Sequence, residues 1–152
     1  MDPSALQIPS IPRGCTNFKL RQLARRVTQH YDQYMAAVGL KNTQYSLLTH
    51  VDLLGPLAPG ELARRMDLDA STLTRNLQPL VAAGWLHVAP GGDARSRLIS
   101  LTPTGQALRR SAQQHWKAAQ LALNDKLGAV NVAALHALLD QSLQAFHDQD
   151  AV

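Results

Sequence analysis

Apolar positions recur at helical spacing along most of this chain and give way to a strand-like pattern in one place only. From about Thr16 to Val38 the stripe is Leu20, Leu23, Val27, Tyr31, Tyr34 and Val38, which predicts a long amphipathic helix ended by Gly39. A second helix is predicted from Asn42 or Thr43, one of them acting as N-cap, to Leu54, where Gly55-Pro56 stops it. Pro59 to Met66 reads as one short helix. Asp69 opens another that runs to about Ala83, with Leu73, Leu77, Leu80 and Val81 on its apolar side. Pro90-Gly91-Gly92 then separate two short apolar runs, as the tip of a hairpin would. Thr102 is a good N-cap and Pro103 sits at the tolerated first position of a helix reaching about Lys126. Gly128 and Asn131 mark a break. The last helix, to about His147, carries Val132, Leu135, Leu138, Leu139, Leu143 and Phe146 on one stripe.

The polar positions sharpen this picture between Leu57 and Thr102. Ser71, Thr74, Arg75 and Gln78 recur at i, i+3, i+4 and i+7, so they line one outward face of the helix opened by Asp69. That face holds hydroxyls, an amide and a guanidinium, and no carboxylate. Such groups can donate to phosphates and to base edges in a major groove. Thr72 has a second reading: with Asp69 as N-cap it falls at the third helical position, where it would serve the cap. Pro79 lies inside this helix and removes an amide donor. A kink or early loosening is expected there, which confines the reading face to Ala70 through Gln78. The order short helix, tight turn, polar-faced helix, charged hairpin is a winged helix-turn-helix. The fold class expected is mainly α with a small β-wing, a winged helix-turn-helix domain joined to a helical dimerisation domain.

Composition narrows the alternatives less than pattern does. The 152 residues suggest one domain, and 45% hydrophobic with 17% charged residues fits a folded, mostly helical protein. A net charge of +4 permits a polyanionic partner without requiring one. The charge is uneven. Residues 58–100 set five arginines (Arg64, Arg65, Arg75, Arg95, Arg97) against four acids, whereas residues 13–26 carry Arg13, Lys19, Arg21, Arg25 and Arg26 with no acid. Gross charge would therefore not have located the reading face. With one cysteine, Cys15, no intramolecular disulfide is possible. No run of about 18 apolar residues occurs, so no membrane partner is expected. Met1 to Pro12 lacks a basic region followed by an apolar core, so it reads as an irregular arm rather than a secretory signal, and the expected address is the cytoplasm.

The terminal helices are long for so small a chain and surround no obvious core of their own. The simplest arrangement packs them against the same helices of a second copy, as a two-fold homodimer whose paired modules suit two half-sites on one duplex. A monomeric helical domain is the alternative. The expected layout is an irregular arm over 1–15, a helical dimerisation region over 16–38 and 103–152, and a winged helix-turn-helix DNA-binding region over 39–102.

Several segments in this order resemble the MarR family of transcription regulators. They are Thr43-Gln44-Tyr45-Ser46-Leu47-Leu48, Pro59-Gly60-Glu61-Leu62-Ala63, Leu68-Asp69-Ala70-Ser71-Thr72-Leu73-Thr74-Arg75 and Gly84-Trp85-Leu86. Asp93-Ala94-Arg95 follows, then Leu98-Ile99-Ser100-Leu101-Thr102 and Gly105. No single piece is specific; the ordered set, spanning about Phe18 to Phe146, carries the resemblance. It implies a homodimeric repressor or activator with a palindromic double-stranded DNA operator. It implies too that Arg95 at the wing tip enters the minor groove and that Asp93 orients Arg95 or the wing backbone. Arg97 has two readings, a phosphate contact or a pairing with an acid, since alternation puts it on the side of Ile99 and Leu101. One departure concerns the short third helix, which usually begins with a Ser or Thr cap and here has Ala58; the lost cap costs about 1 kcal/mol.

Cys15 stands at the start of the first helix, where the helix N-terminus and the nearby Arg13, Lys19 and Arg21 favour a thiolate. The organic-hydroperoxide branch of the family (OhrR-like) keeps its reactive cysteine in this helix. Anchored on Tyr31 and Gln44-Tyr45, however, Cys15 falls two residues early and Asn17 takes the sensing place. Tyr31 matches one thiol-bonding tyrosine of that branch, and Arg21 stands where the other would be. Cys15 is thus a redox candidate, a bystander, or part of a ligand pocket. Tyr34, Tyr45, His50, His115 and Trp116 are candidates to line a cavity between the dimer helices and the DNA-binding lobe, where the family places aromatic or phenolic effectors; core packing is the alternative for each. The six histidines form no ligand cluster, so no metal is expected, and no cofactor. An enzyme is disfavoured, because no nucleophile–base pair, phosphate loop or paired carboxylate stands out. The reading is a sequence-specific DNA-binding repressor released by a small effector. A thiol-based redox regulator acting through Cys15 is one alternative. A helical protein-interaction module without DNA binding is another, which leaves the acid-free face and the Asp93-x-Arg95 wing unexplained.

Overall fold

The computed structural model describes residues 11–93 and 95–150, and residues 1–10 of the expected arm lie outside it. Helix α1 (Thr16–Met35) runs into a short 3-10 turn over Ala36–Val38, and Gly39 closes it in the left-handed region at φ 71°. Helix α2 (Asn42–Leu54) follows. Its N-cap is Lys41, one residue before the positions expected. The Gln44 side chain accepts the Lys41 N–H at 2.9 Å, and Asp32 of α1 accepts the Asn42 N–H at 2.7 Å. An acceptor from the preceding helix thus satisfies the terminus, which no local sequence rule contains.

Helices α3 (Pro59–Arg65) and α4 (Ala70–Ala82) form the helix-turn-helix. Ala58 caps α3 with no side-chain bond, as the sequence implied. Strands β1 (Leu86–Pro90) and β2 (Arg97–Leu101) pair antiparallel, with Leu86 opposite Leu101 and Pro90 opposite Arg97, and Leu57 adds a bridge to Ile99. Helices α5 (Pro103–Leu127) and α6 (Ala129–Asp150) complete the fold. Gly128 alone makes the break between them, at φ 86°. Asn131 lies inside α6 and donates to the Leu127 carbonyl at 2.8 Å.

One core serves the whole winged helix-turn-helix lobe. Met35, Leu47, Leu48, Val51, Leu62, Leu73, Leu80 and Ile99 are its fully buried side chains, so α1, α2, α3, α4 and β2 meet there, with Ala112 of α5 closing it. Val81, expected on the α4 stripe, is 39% exposed. At 100° per residue it stands about 80° round from Leu73, off the buried side. Pro79 does not interrupt α4, which continues to Ala82 with the Ala83 N–H on the Pro79 carbonyl at 3.0 Å. Pro79 is exposed, so the amide it lacks leaves the Arg75 carbonyl to water rather than to the core.

The other end of the molecule is different. Helix α6 has no buried residue, and the first half of α1 is equally open. Phe18, Val130 and Phe146 are 60%, 79% and 68% exposed. Among the described residues, no helix is long and apolar enough to cross a membrane.

Candidate nucleic-acid interface

Asp69 sets the start of α4. Its carboxylate accepts the Thr72 N–H at 2.7 Å, the Thr72 hydroxyl at 2.8 Å and the Ser71 hydroxyl at 2.7 Å. These bonds, the Thr72 amide first, draw the Asp69 carboxyl down to about 2. Thr72 is therefore the third helical position of a capped helix. The outward face of α4 lacks a carboxylate along Ser71, Thr74, Arg75 and Gln78, but Asp69 puts one at its N-terminal edge. That corrects the acid-free picture drawn from spacing. Ser71, Thr74, Arg75 and Gln78 are all exposed, while Thr72 is half-buried to one side. The Thr74 hydroxyl donates back to the Ala70 carbonyl at 2.9 Å.

Asp93 organises the wing tip. One carboxylate oxygen accepts the backbone N–H of Arg95 at 2.9 Å and of Ser96 at 2.8 Å, and these bonds hold its carboxyl below the usual range. Of the two roles open to Asp93, the geometry is that of backbone support rather than guanidinium orientation. Ser96 closes the loop: its hydroxyl donates to the Asp93 carbonyl and accepts the Asp93 N–H, each at 3.2 Å. Sequence reasoning missed Ser96, although an Asp followed three residues later by Ser is a turn signal. Arg95 is left exposed at the tip, and Arg97 is exposed at the open end of β2. Neither has an acidic partner within ion-pair reach among the described residues. In contrast, Arg64 and Arg65 of α3 both bind Glu61, at 2.8 and 3.0 Å, and Glu61 is drawn down to about 2 by them. Arg75 likewise has no carboxylate within ion-pair reach among the described residues, although its charge helps to lower the Asp69 carboxyl.

The wing root is clamped to α5. The Thr102 hydroxyl donates to the Gly84 carbonyl at 2.6 Å and accepts the Gly105 N–H at 3.0 Å, while the Thr102 N–H bonds the Trp85 carbonyl at 3.1 Å. The first turn of α5 is thereby bonded directly to the root of the wing.

Between α2 and α5 lies a cavity of about 430 Å³. Tyr45, His50 and Trp116 line it, with the Tyr45 and Trp116 rings 6.3 Å apart. Tyr34 and His115 do not, which corrects two of the five pocket candidates. Tyr34 turns to His30 on its own helix, at 5.3 Å between ring centroids. His115 is one residue, or 100° of helix, away from Trp116. The cavity also holds Arg109, Asn42 and Thr49, which the sequence reading passed over. The signal for Arg109 was present: Arg109, Gln113 and Trp116 fall at i, i+4 and i+7 on α5. Arg109 Nε lies 2.7 Å from Asp52 Oδ2, but the N–H does not point along that line, so the contact is ionic rather than a hydrogen bond. Asn42 Oδ1 and Thr49 Oγ1 are buried without a partner among the described residues.

Cys15 is exposed and is the N-cap of α1. Tyr31, the tyrosine matched to thiol sensing, is buried and donates its hydroxyl to Gln120; burial pushes its phenol up. Sixteen residues along one helix separate the two, roughly 24 Å. Within one chain they are not brought together. No group of three or more His, Cys, Asp or Glu side chains is poised for a metal among the described residues.

A family model described as MarR family matches residues 38–96, which span α2, the helix-turn-helix and most of the wing. The multiple antibiotic resistance protein MarR of Salmonella typhimurium is 30% identical over 135 residues, 88% of this chain and 92% of the relative. Among solved structures, the M. tuberculosis transcriptional regulator MosR in complex with DNA is 34% identical with a TM-score of 0.75, over 87% of this chain and 98% of that one. A mutant MarR from E. coli complexed with operator DNA is 26% identical with a TM-score of 0.77, over 84% of this chain and 92% of that one.

Proposed function

Because the chain belongs to the MarR family of DNA-binding transcription regulators, we propose that it binds a palindromic operator as a homodimer and acts as a repressor that a small aromatic or phenolic effector releases. It is a regulator and not an enzyme. The observation that carries the operator reading is the exposed surface of α4 and the wing. There Arg75, Arg95 and Arg97 have no acidic partner within ion-pair reach among the described residues, while their neighbours Arg64 and Arg65 do. In this reading Ser71, Thr74, Arg75 and Gln78 meet base edges, Thr72 serves the cap that sets the helix, Arg97 meets the backbone, and Arg95 enters the minor groove. The DNA-bound state of MosR and the operator-bound state of E. coli MarR support it.

The dimer reading rests on the bare apolar end. Leu20, Leu23 and Val27 of α1, Leu123 of α5, and Leu135 and Leu139 of α6 line one groove that no other described residue of the chain covers. A second copy presenting the same helices covers it isologously. Residues 16–38 and 103–152 are then the dimerisation region and 39–102 the DNA-binding region, working in the cytoplasm. The effector reading rests on the α2–α5 cavity, where the Tyr45 and Trp116 rings, His50 and Arg109 line one space. A ligand there acts only if it favours a spacing of the two α4 helices that the operator rejects.

The test is footprinting on duplexes selected from a random pool, with the oligomer measured by light scattering. A protected palindrome with half-sites about one helical turn apart, bound by a dimer, is the expected result. A monomer, or protection without symmetry, refutes the arrangement.

A further inference from the structure

The hydroxyls of the reading face have already spent their protons. The Ser71 hydroxyl ends on Asp69 Oδ1 and the Thr72 hydroxyl on Asp69 Oδ2. A carboxylate that is ionised at neutral pH can only accept, so in both bonds the hydroxyl is the donor. The Thr74 hydroxyl ends on the Ala70 carbonyl, again an obligate acceptor. A hydroxyl has one proton and two lone pairs. What Ser71 and Thr74 turn outward is therefore acceptor, not donor. Bonds to a charged acceptor are roughly twice as strong as neutral ones, so a thymine or guanine carbonyl does not draw the Ser71 proton away from Asp69. A phosphate would have to approach the Asp69 charge itself.

On the premise that α4 is the operator-reading helix, we infer that its first turn selects bases with an exocyclic amino group, cytosine N4 or adenine N6, and that Asp69 is the positioning residue that fixes this polarity through Ser71. Arg75 and Gln78, one turn further on, supply the donors for guanine or for acceptor edges. The two halves of the face thus read opposite chemistries. Asp69 additionally keeps the helix N-terminus, otherwise a natural phosphate seat, from sitting on the backbone.

The experiment begins with sites selected by the wild-type protein from a random duplex pool. At each position of the recovered site, cytosine is replaced by 2-pyrimidinone, which lacks the 4-amino group, or adenine by purine, which lacks the 6-amino group. Affinity is read by fluorescence anisotropy. We expect one symmetric pair of positions where amino removal weakens binding by about five- to tenfold, the worth of one hydrogen bond. That loss should vanish in Ser71→Ala and persist in Arg75→Ala. Gly is accepted at an N-cap, so Asp69→Gly should stay folded by circular dichroism, with Asp69→Asn as the conservative variant. Asp69→Gly removes the oxygen that holds the Ser71 proton and lets that proton turn outward, whereas the Asn oxygen, kept on the Thr72 N–H, still holds it. The same pool selected with D69G should therefore lose, at that position, the preference for adenine or cytosine, and D69N should keep it. Amino groups whose removal has no effect anywhere, or D69G keeping the wild-type preference, overturns the inference. A wild-type protein that recovers no site from the pool is a different failure, and it takes down the operator reading as well.

Discussion

Gly105 offers a sharp test of how α5 is joined to the wing. It lies buried in the first turn of α5, against the backbone of Trp85. A Cβ built there falls 2.9 Å from the Trp85 carbonyl carbon and 3.2 Å from its Cα, and nearer still to the carbonyl oxygen; ordinary contact begins at 3.4 Å. The obstacle is backbone, with no rotamer to turn aside, so in Gly105→Ala the helix must retreat by more than ~0.5 Å. That retreat strains the Thr102 bonds to Gly84 and Trp85. Overpacking of this kind costs about 1–3 kcal/mol, and each strained hydrogen bond about 0.5–1.5 kcal/mol. The gain in helix propensity offsets at most about 1 kcal/mol. The net expectation is a loss of about 2–3 kcal/mol, or a Tm lower by about 5–10 °C for a chain of this size. Thermal melts and urea unfolding at matched protomer concentration measure it, since oligomerisation shifts apparent stability. Gly60→Ala is the control: its Cβ meets nothing within 4 Å inside α3, so it should stabilise by about 0.5–1 kcal/mol. If Gly105→Ala melts with the wild type, the close approach of α5 to the wing root is not a constraint and the clamp has been misread.

Arg95→Ala should weaken operator binding about tenfold across all sequences and reduce the salt slope by about one, because it removes a groove cation and no base contact; unchanged binding in a salt series refutes the wing assignment. Ala58→Ser should stabilise the protein by about 1 kcal/mol by giving α3 the cap it lacks, and a lower urea midpoint would contradict the cap geometry. Glu61 and Asp69 have folded pKa values of about 2, below their unfolded values near 4, so their contribution is present above about pH 4 and lost as pH falls toward 2. Melts should accordingly be flat in these two groups from pH 5 to 8, and Asp69→Asn should remove part of the decline below pH 4. Cys15→Ser should respond to peroxide as wild type does in operator binding, since Tyr31 is held by Gln120 away from the thiol; release confined to the wild type would make Cys15 a sensor.

Much of this protein was legible in the chain because its information is local. Helices α3 and α4 declare themselves through Pro59, Asp69 and the Leu73-Leu77-Leu80 spacing, and the hairpin through Gly91-Gly92 between apolar runs. That Ser71, Thr74, Arg75 and Gln78 share one exposed face followed from a period of 3.6 alone. The errors sit where partners come from elsewhere. Spacing cannot say that Asp32 caps α2, or that Tyr34 turns to His30 instead of toward Trp116. The Asp69 cap on Thr72 was local and legible, whereas spacing left out that the same carboxylate also takes the Ser71 proton. Sequence by itself determined which segments are helical and which faces are apolar, since backbone geometry maps spacing onto faces without reference to the rest of the molecule. Only the tertiary structure decided which polar groups are already satisfied, because a hydrogen bond depends on where two groups end up in space and not on how far apart they lie along the chain.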